Sequence, residues 1–210
     1  TAVSGATDAA RGAAALILTA PGLSVINNAI DEARRIFGRI TSYTIYRVAL
    51  TMDIMFLVVL STIFLAFQPL TAIMIVIMSL LDDVPIMTIA YDNTPVSERP
   101  IRWHMPHLLG VAAALGLVSV AQSFGLLLIG MEVLSHPAHQ QYFGLFDRSQ
   151  LQSVMFLQLV AGGHLLLFVT RTDRWFFMPP HPARPLLLAI VLTQILAVLM
   201  CGLGWLVPSI

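Results

Sequence analysis

Residues 44–67, 70–90, 108–131, 151–170 and 185–207 are apolar, and each is near the ~20 residues that carry an α-helix across a ~30 Å hydrocarbon core. In lipid, every backbone N–H and C=O must find its partner inside the protein. Apolar segments of this length are therefore expected as helices. Composition agrees: 58% of residues are hydrophobic and 10% charged, against about 25% charged in soluble domains. The expected fold is an all-α membrane protein, a helical bundle of about five membrane helices crossing a lipid bilayer.

The flanks add organisation. GATDAAR (5–11) holds a turn and a helix cap at Thr7 or Asp8, followed by a short helix over 9–15. Residues 13–19 are apolar but too short to span, which fits a strand or helix of a cytoplasmic domain. Residues 1–22 are thus set apart from a stalk helix, 23–43, and a membrane domain, 44–210. In the stalk Val25, Ile26, Ala29, Ile30, Ala33, Ile36, Phe37 and Ile40 fall on one side, with Asp31, Glu32, Arg34, Arg35 and Arg39 elsewhere. No proline interrupts the run into the first span. Gln68-Pro69 joins the first two spans as a hairpin. Arg34, Arg35, Arg39, Arg47, Arg99, Arg102, Arg171, Arg174 and Arg184 gather on one side when spans alternate, leaving Arg148 opposite. The positive-inside rule makes that side cytoplasmic. Net charge is zero, which gives no argument for nucleic acid. The absent initiator methionine and the outward end after the fifth crossing fit a piece of a longer chain.

Chemistry concentrates at SLLDDVPIMTIAYD (79–92). Asp82 and Asp83 interrupt a membrane-length apolar segment, where a carboxylate costs roughly 2.5–3.5 kcal/mol and persists mainly facing other helices or water. Pro85 has no N–H and crowds the carbonyl of Leu81, so the helix is expected to kink or unwind beside the acids. A carboxylate beside freed carbonyls is what a proton or cation site needs. Asp53, in the first span, is expected either to face Asp82 or Asp83 across the hairpin or to pair with Arg47 near the interface. Gln122, Gln158, His164 and Gln194 read as interhelical hydrogen-bonding groups. Glu132, His136 and His139 fall in an outer loop. No Cys/His zinc pattern, phosphate loop or nucleophile elbow is present, and no metal site is assigned.

GATDAAR (5–11), LTAPGLSVINNAIDEARRIFGRI (18–40), SYTIYR (42–47), LLDDVPIMTIAYDN (80–93) and FVTRTDRW (168–175) resemble the carboxy-terminal part of plasma-membrane proton-pumping P-type ATPases, most of all the prokaryotic members. The resemblance runs through essentially the whole chain. It implies that residues 1–22 end an α/β phosphorylation domain and that the spans are the fifth to ninth of ten helices. It places the ion-binding carboxylate at Asp83, beside Asp82 where an asparagine is usual, and puts Asp53 at a position that carries an arginine in plant members. Asp83 would be the proton carrier, with Asp82 and Asp53 tuning it and Pro85 keeping the helix unwound. The longer parent would use ATP and Mg2+ in the plasma (inner) membrane of a prokaryote. DKTGT, TGE and TGDGVNDAP are not in this sequence, so this chain alone is expected to be inactive as an ATPase. Two alternatives remain open at this point. One is a P-type pump for a metal cation bound by Asp53, Asp82 and Asp83. The other is a stand-alone, non-catalytic membrane protein.

Overall fold

The computed structural model describes residues 1–3, 5–19, 24–94, 104–135, 147–172, 179 and 181–203. The first element is the short helix α1 (Asp8–Ala13), capped by Thr7, whose hydroxyl accepts from the Ala10 N–H at 3.4 Å. Asp8 in its first turn and Arg11 in its last complement the helix dipole. Around it the chain is extended: Ala2 and Ile17 form an isolated parallel bridge. Ala2 N–H donates to the Leu16 carbonyl at 2.8 Å, and Leu18 N–H to the Ala2 carbonyl at 2.9 Å.

Stalk and first span form one helix, α2 (Ser24–Leu65), 42 residues long. At 1.5 Å per residue it extends about 63 Å, twice the hydrocarbon thickness. On the stalk, Arg35 and Arg39 each reach Glu32 at 3.5 Å. The apolar stalk residues Ile30, Ile36, Phe37 and Ile40 stay exposed. The helix stops at Ala66, whose φ of 48° turns the chain back so that Phe67 N–H donates to the Ser61 carbonyl at 3.3 Å. Thr71 then caps α3 (Ala72–Thr88) by accepting from Met74 N–H at 3.2 Å.

A single 3-10 turn, Ile89–Tyr91, ends α3. Three more long helices follow: α4 (Met105–Ser135), α5 (Arg148–Thr170) and α6 (Arg184–Gly202). Asp147 and Gln150 close a capping box at the start of α5. Pro185 sits in the first turn of α6, where a missing N–H costs nothing. Among the described residues, the five helices α2 to α6 are long and apolar enough to cross a membrane.

α5 is the central post, packing against α2, α3, α4 and α6. α4 lies along α2, and α3 packs on α5 and α6. The consecutive helices α2 and α3 approach each other little along their backbones, although only a short connection joins them. A backbone-to-backbone seam lies at Gly116 of α4. A Cβ there would stand 3.1 Å from Met52 Cβ and 3.2 Å from the Ala49 carbonyl oxygen. Small residues at such seams let membrane helices meet backbone to backbone. Two apolar clusters fill the bundle, one holding Leu57, Met78, Leu81 and Phe156, the other Tyr46, Leu50, Ile86 and Leu167. Leu81 closes one and Ile86 opens the other, so Asp82–Pro85 falls at their junction.

Candidate functional site

Neighbouring residues on an α-helix point about 100° apart, so α3 sends its two acids to different surroundings. Asp82 turns inward and is 1% exposed. It lies against α5, where Gly163 leaves it room: a Cβ there would stand 3.1 Å from Asp82 Oδ1 and 3.4 Å from Leu50 Cδ1. Neither Asp82 oxygen has a hydrogen-bond partner among the described residues. Asp83 is half-exposed, and its Oδ1 pairs with Arg47 Nη1 of α2 at 3.1 Å, the two side chains being 45% and 41% exposed. An exposed pair of this kind contributes little to stability, on the order of 0–1 kcal/mol. Its interest is positional, because it is a charge contact between the stalk-bearing helix and the acidic helix.

Two expectations are corrected. First, α3 does not unwind at Asp82–Asp83; it remains α-helical through Pro85 to Thr88, and the winding tightens only at Ile89–Tyr91. Pro85 can remove only its own bond to Leu81, and buried Leu81, Ile86 and Ile89 on either side hold the helical path. Beyond the proline, the Thr88 hydroxyl donates to the Pro85 carbonyl at 2.7 Å, while the carbonyl left without its N–H partner is that of Leu81. Second, Asp53 faces neither Asp82 nor Asp83, and it does not pair with Arg47. α2 packs along α4, so Asp53 Oδ2 instead accepts from Ser123 Oγ at 3.2 Å. Among the described residues no three His, Cys, Asp or Glu side chains stand together to hold a metal ion. A joint Asp53–Asp82–Asp83 metal site is therefore not formed.

No protein-family profile matches the chain. The chain is 41% identical over 211 residues to a protein of Methanocaldococcus jannaschii named, by inference, as a cation-transporting ATPase; the match covers 97% of this chain and 25% of that protein. It is 35% identical over 207 residues to plasma membrane ATPase 1 of Schizosaccharomyces pombe, covering 97% of this chain and 21% of that one. Against plasma membrane ATPase 2 of Saccharomyces cerevisiae it is 36% identical over 204 residues, again 97% of this chain and 21% of the relative. The chain belongs to the P-type ATPases. It spans a fifth to a quarter of the length of these relatives and supplies the part with five apolar helices.

A further site of this P-type ATPase chain was not picked out as functional in the sequence. Asp92, just past the 3-10 turn, is buried and ion-paired with the Arg171 guanidinium at the end of α5. Its Oδ1 accepts the Ala183 N–H, at the start of α6, at 2.9 Å. Its carbonyl accepts from Arg39 Nη2 of the stalk at 3.0 Å. Next door, Asn93 Nδ2 donates to the His181 carbonyl at 3.2 Å. One aspartate thus gathers the stalk, the end of α3, the end of α5 and the start of α6. Arg39, Arg171 and the start of α6 therefore share one end of the bundle, as the positive-inside reading requires. The readable signal was an acid just past the apolar run, at the head of an arginine-bearing loop.

His164 and Gln194 hydrogen-bond between helices as expected: His164 Nδ1 lies 2.9 Å from Gln194 Oε1, and Nε2 3.1 Å from Thr193 Oγ1. Gln158 and Gln122 instead line a cavity beside Asp53. Arg99, Arg102, Arg174, His136 and His139 lie outside the described residues.

Proposed function

We propose that the chain is the membrane-transport part of an ATP-driven proton exporter, with Asp83 as the group that carries the proton. The observation behind this reading is the Arg47–Asp83 contact at 3.1 Å. Arg47 sits on a helix that runs unbroken from the cytoplasmic stalk into the membrane. A displacement of the stalk shifts Arg47 relative to Asp83 on the separate helix α3. With the guanidinium against it, Asp83 has a fixed positive charge competing for the oxygen a proton would occupy. With Arg47 withdrawn, that oxygen is free to take one. Asp82, buried next to it, sets the local field. The Asp92 gathering point ties the stalk to the other helices, so stalk motion is transmitted to the bundle.

ATP and Mg2+ belong to the longer protein in this reading, consistent with the ATPase names of its relatives. The residues of this chain do not fit a site for either, since none of the phosphorylation, dephosphorylation or Mg2+-binding motifs is in its sequence. Residues 1–22 would close the phosphorylation domain, a reading supported by the parallel Ala2–Ile17 bridge around α1. The expected location is a plasma membrane, and the lack of lysine alongside abundant arginine and alanine favours a prokaryotic one.

The test is transport by the full-length protein in sealed inside-out vesicles with ATP and Mg2+, other metals chelated. The reading expects the vesicle interior to acidify. Transport that appears only on adding a particular metal ion, with no acidification in its absence, would replace the proton by that metal as cargo.

A further inference from the structure

A second polar site lies beside α5, with neighbours different from those of Asp82. Asp53, Ser119, Gln122, Ser123, Gln158 and Gly162 stand in the wall of a cavity of about 150 Å³ among α2, α4 and α5. Asp53 is 5% exposed. Its Oδ2 holds the Ser123 hydroxyl, and its Oδ1 is buried with no hydrogen-bond partner among the described residues. The rest of the wall is leucine and valine, with no arginine or histidine to neutralise the carboxylate.

Depth sharpens the problem. Asp53 lies twelve residues before the end of α2 at Leu65. At 1.5 Å per residue that is about 18 Å along the helix, close to the middle of a ~30 Å core. An acid at such depth is retained mainly along ion pathways or beside a partner. Here the described residues offer Oδ2 only the neutral Ser123 hydroxyl and offer Oδ1 no partner. The remaining polar groups are neutral hydroxyls and amides, whose oxygens together with the carboxylate make a hard-oxygen set suited to alkali and alkaline-earth cations. Charge balance selects between them. One carboxylate cancels one positive charge and would leave a divalent ion half-neutralised in a low-dielectric place. A cavity of this size also has room for waters alongside the ion.

We propose that Asp53 anchors a site for one alkali-metal cation of sodium or potassium size, separate from the Asp82–Asp83 site. Two consecutive glycines of α5 divide the sites: Gly162 walls this cavity, while Gly163 makes room for Asp82. The inference goes beyond the proton-export reading and does not depend on which ion Asp83 carries.

The experiment is equilibrium binding of thallium(I), displaced by sodium or potassium, to the full-length protein in nanodiscs without ATP. One saturable equivalent is expected. Asp53→Asn should weaken it by about tenfold or more, a loss of ~1.4 kcal/mol. Gln122→Leu, which removes a neutral polar group of the wall at an exposed position, should weaken it several-fold. Asp83→Asn should leave it unchanged. The proposal is overturned if the wild type shows no saturable binding. It is equally overturned if binding survives both Asp53→Asn and Gln122→Leu, or if it disappears in Asp83→Asn. Because binding is read at rest, failure of proton export leaves this result standing, and the reverse also holds.

Discussion

Replacing Gly116 with alanine probes how the bundle places its acids. The new methyl would meet the Ala49 carbonyl oxygen at 3.2 Å, Ala49 Cα at 3.3 Å and Met52 Cβ at 3.1 Å. Two of these are backbone atoms, which no rotamer change can move, so α2 and α4 must separate by a few tenths of an ångström. Overpacking of this kind costs about 1–3 kcal/mol. Alanine recovers up to about 1 kcal/mol in helix propensity. Gly110→Ala, in the same helix, is the control: its methyl meets nothing within 4 Å, so it should collect the propensity gain alone. The difference between the two variants isolates the seam and should be about 1–3 kcal/mol. At roughly 2–4 °C per kcal/mol for a chain of this size, Gly116→Ala should melt on the order of 5 °C below Gly110→Ala. Asp53 is one turn along α2 from Ala49, so the same separation should lengthen its bond to Ser123, now 3.2 Å. The assay is thermal unfolding of both variants in one detergent. Equal melting temperatures, or a higher one for Gly116→Ala, would refute the backbone-to-backbone seam.

Other outcomes follow from the two ends of the bundle. Asp92→Asn removes the buried carboxylate charge paired with the Arg171 guanidinium, which should destabilise the protein by about 3–5 kcal/mol in denaturant titration; a change under 1 kcal/mol, on the order of an exposed pair, would mean the pair is not buried in the membrane-embedded protein. Asp147, outside the spans, has its pKa held below the ordinary aspartate range by the Ser149 hydroxyl and then by the Gln150 N–H. A depressed carboxylate contributes its stabilisation above its unfolded pKa and loses it as pH falls through the folded one. Fraying of the first turn of α5 should therefore begin only below the usual aspartate titration, as followed by carboxyl chemical shifts. Titration of Asp147 at or above the unperturbed position would show that the cap does not form.

The spans and the stalk were legible because membrane length and helical periodicity are local properties. The predicted 44–67 and 70–90 became the ends of α2 and the whole of α3 with shifts of only a few residues. Asp82 and Asp83 were legible as acids in an apolar run, but not which of them would be buried, since that depends on which side of α3 meets α5. The expected unwinding at Pro85 failed for a related reason: a proline removes one local bond, while the packing of Leu81, Ile86 and Ile89 that restores the helix comes from elsewhere in the chain. Asp53 was assigned to the wrong neighbour because a short connection suggested that α2 and α3 pack together, whereas α4 occupies that side of α2. Asp92 was missed because its partners Arg39, Arg171 and Ala183 are 53, 79 and 91 residues away along the chain.

The most direct test of the central claim is ATP-driven acidification of sealed vesicles by the full-length protein, comparing wild type with Asp83→Asn and Asp82→Asn. The account predicts that Asp83→Asn abolishes acidification, whereas Asp82→Asn alters its rate or pH dependence but leaves it measurable. Normal acidification by Asp83→Asn would contradict the account and move the carrier elsewhere in the bundle.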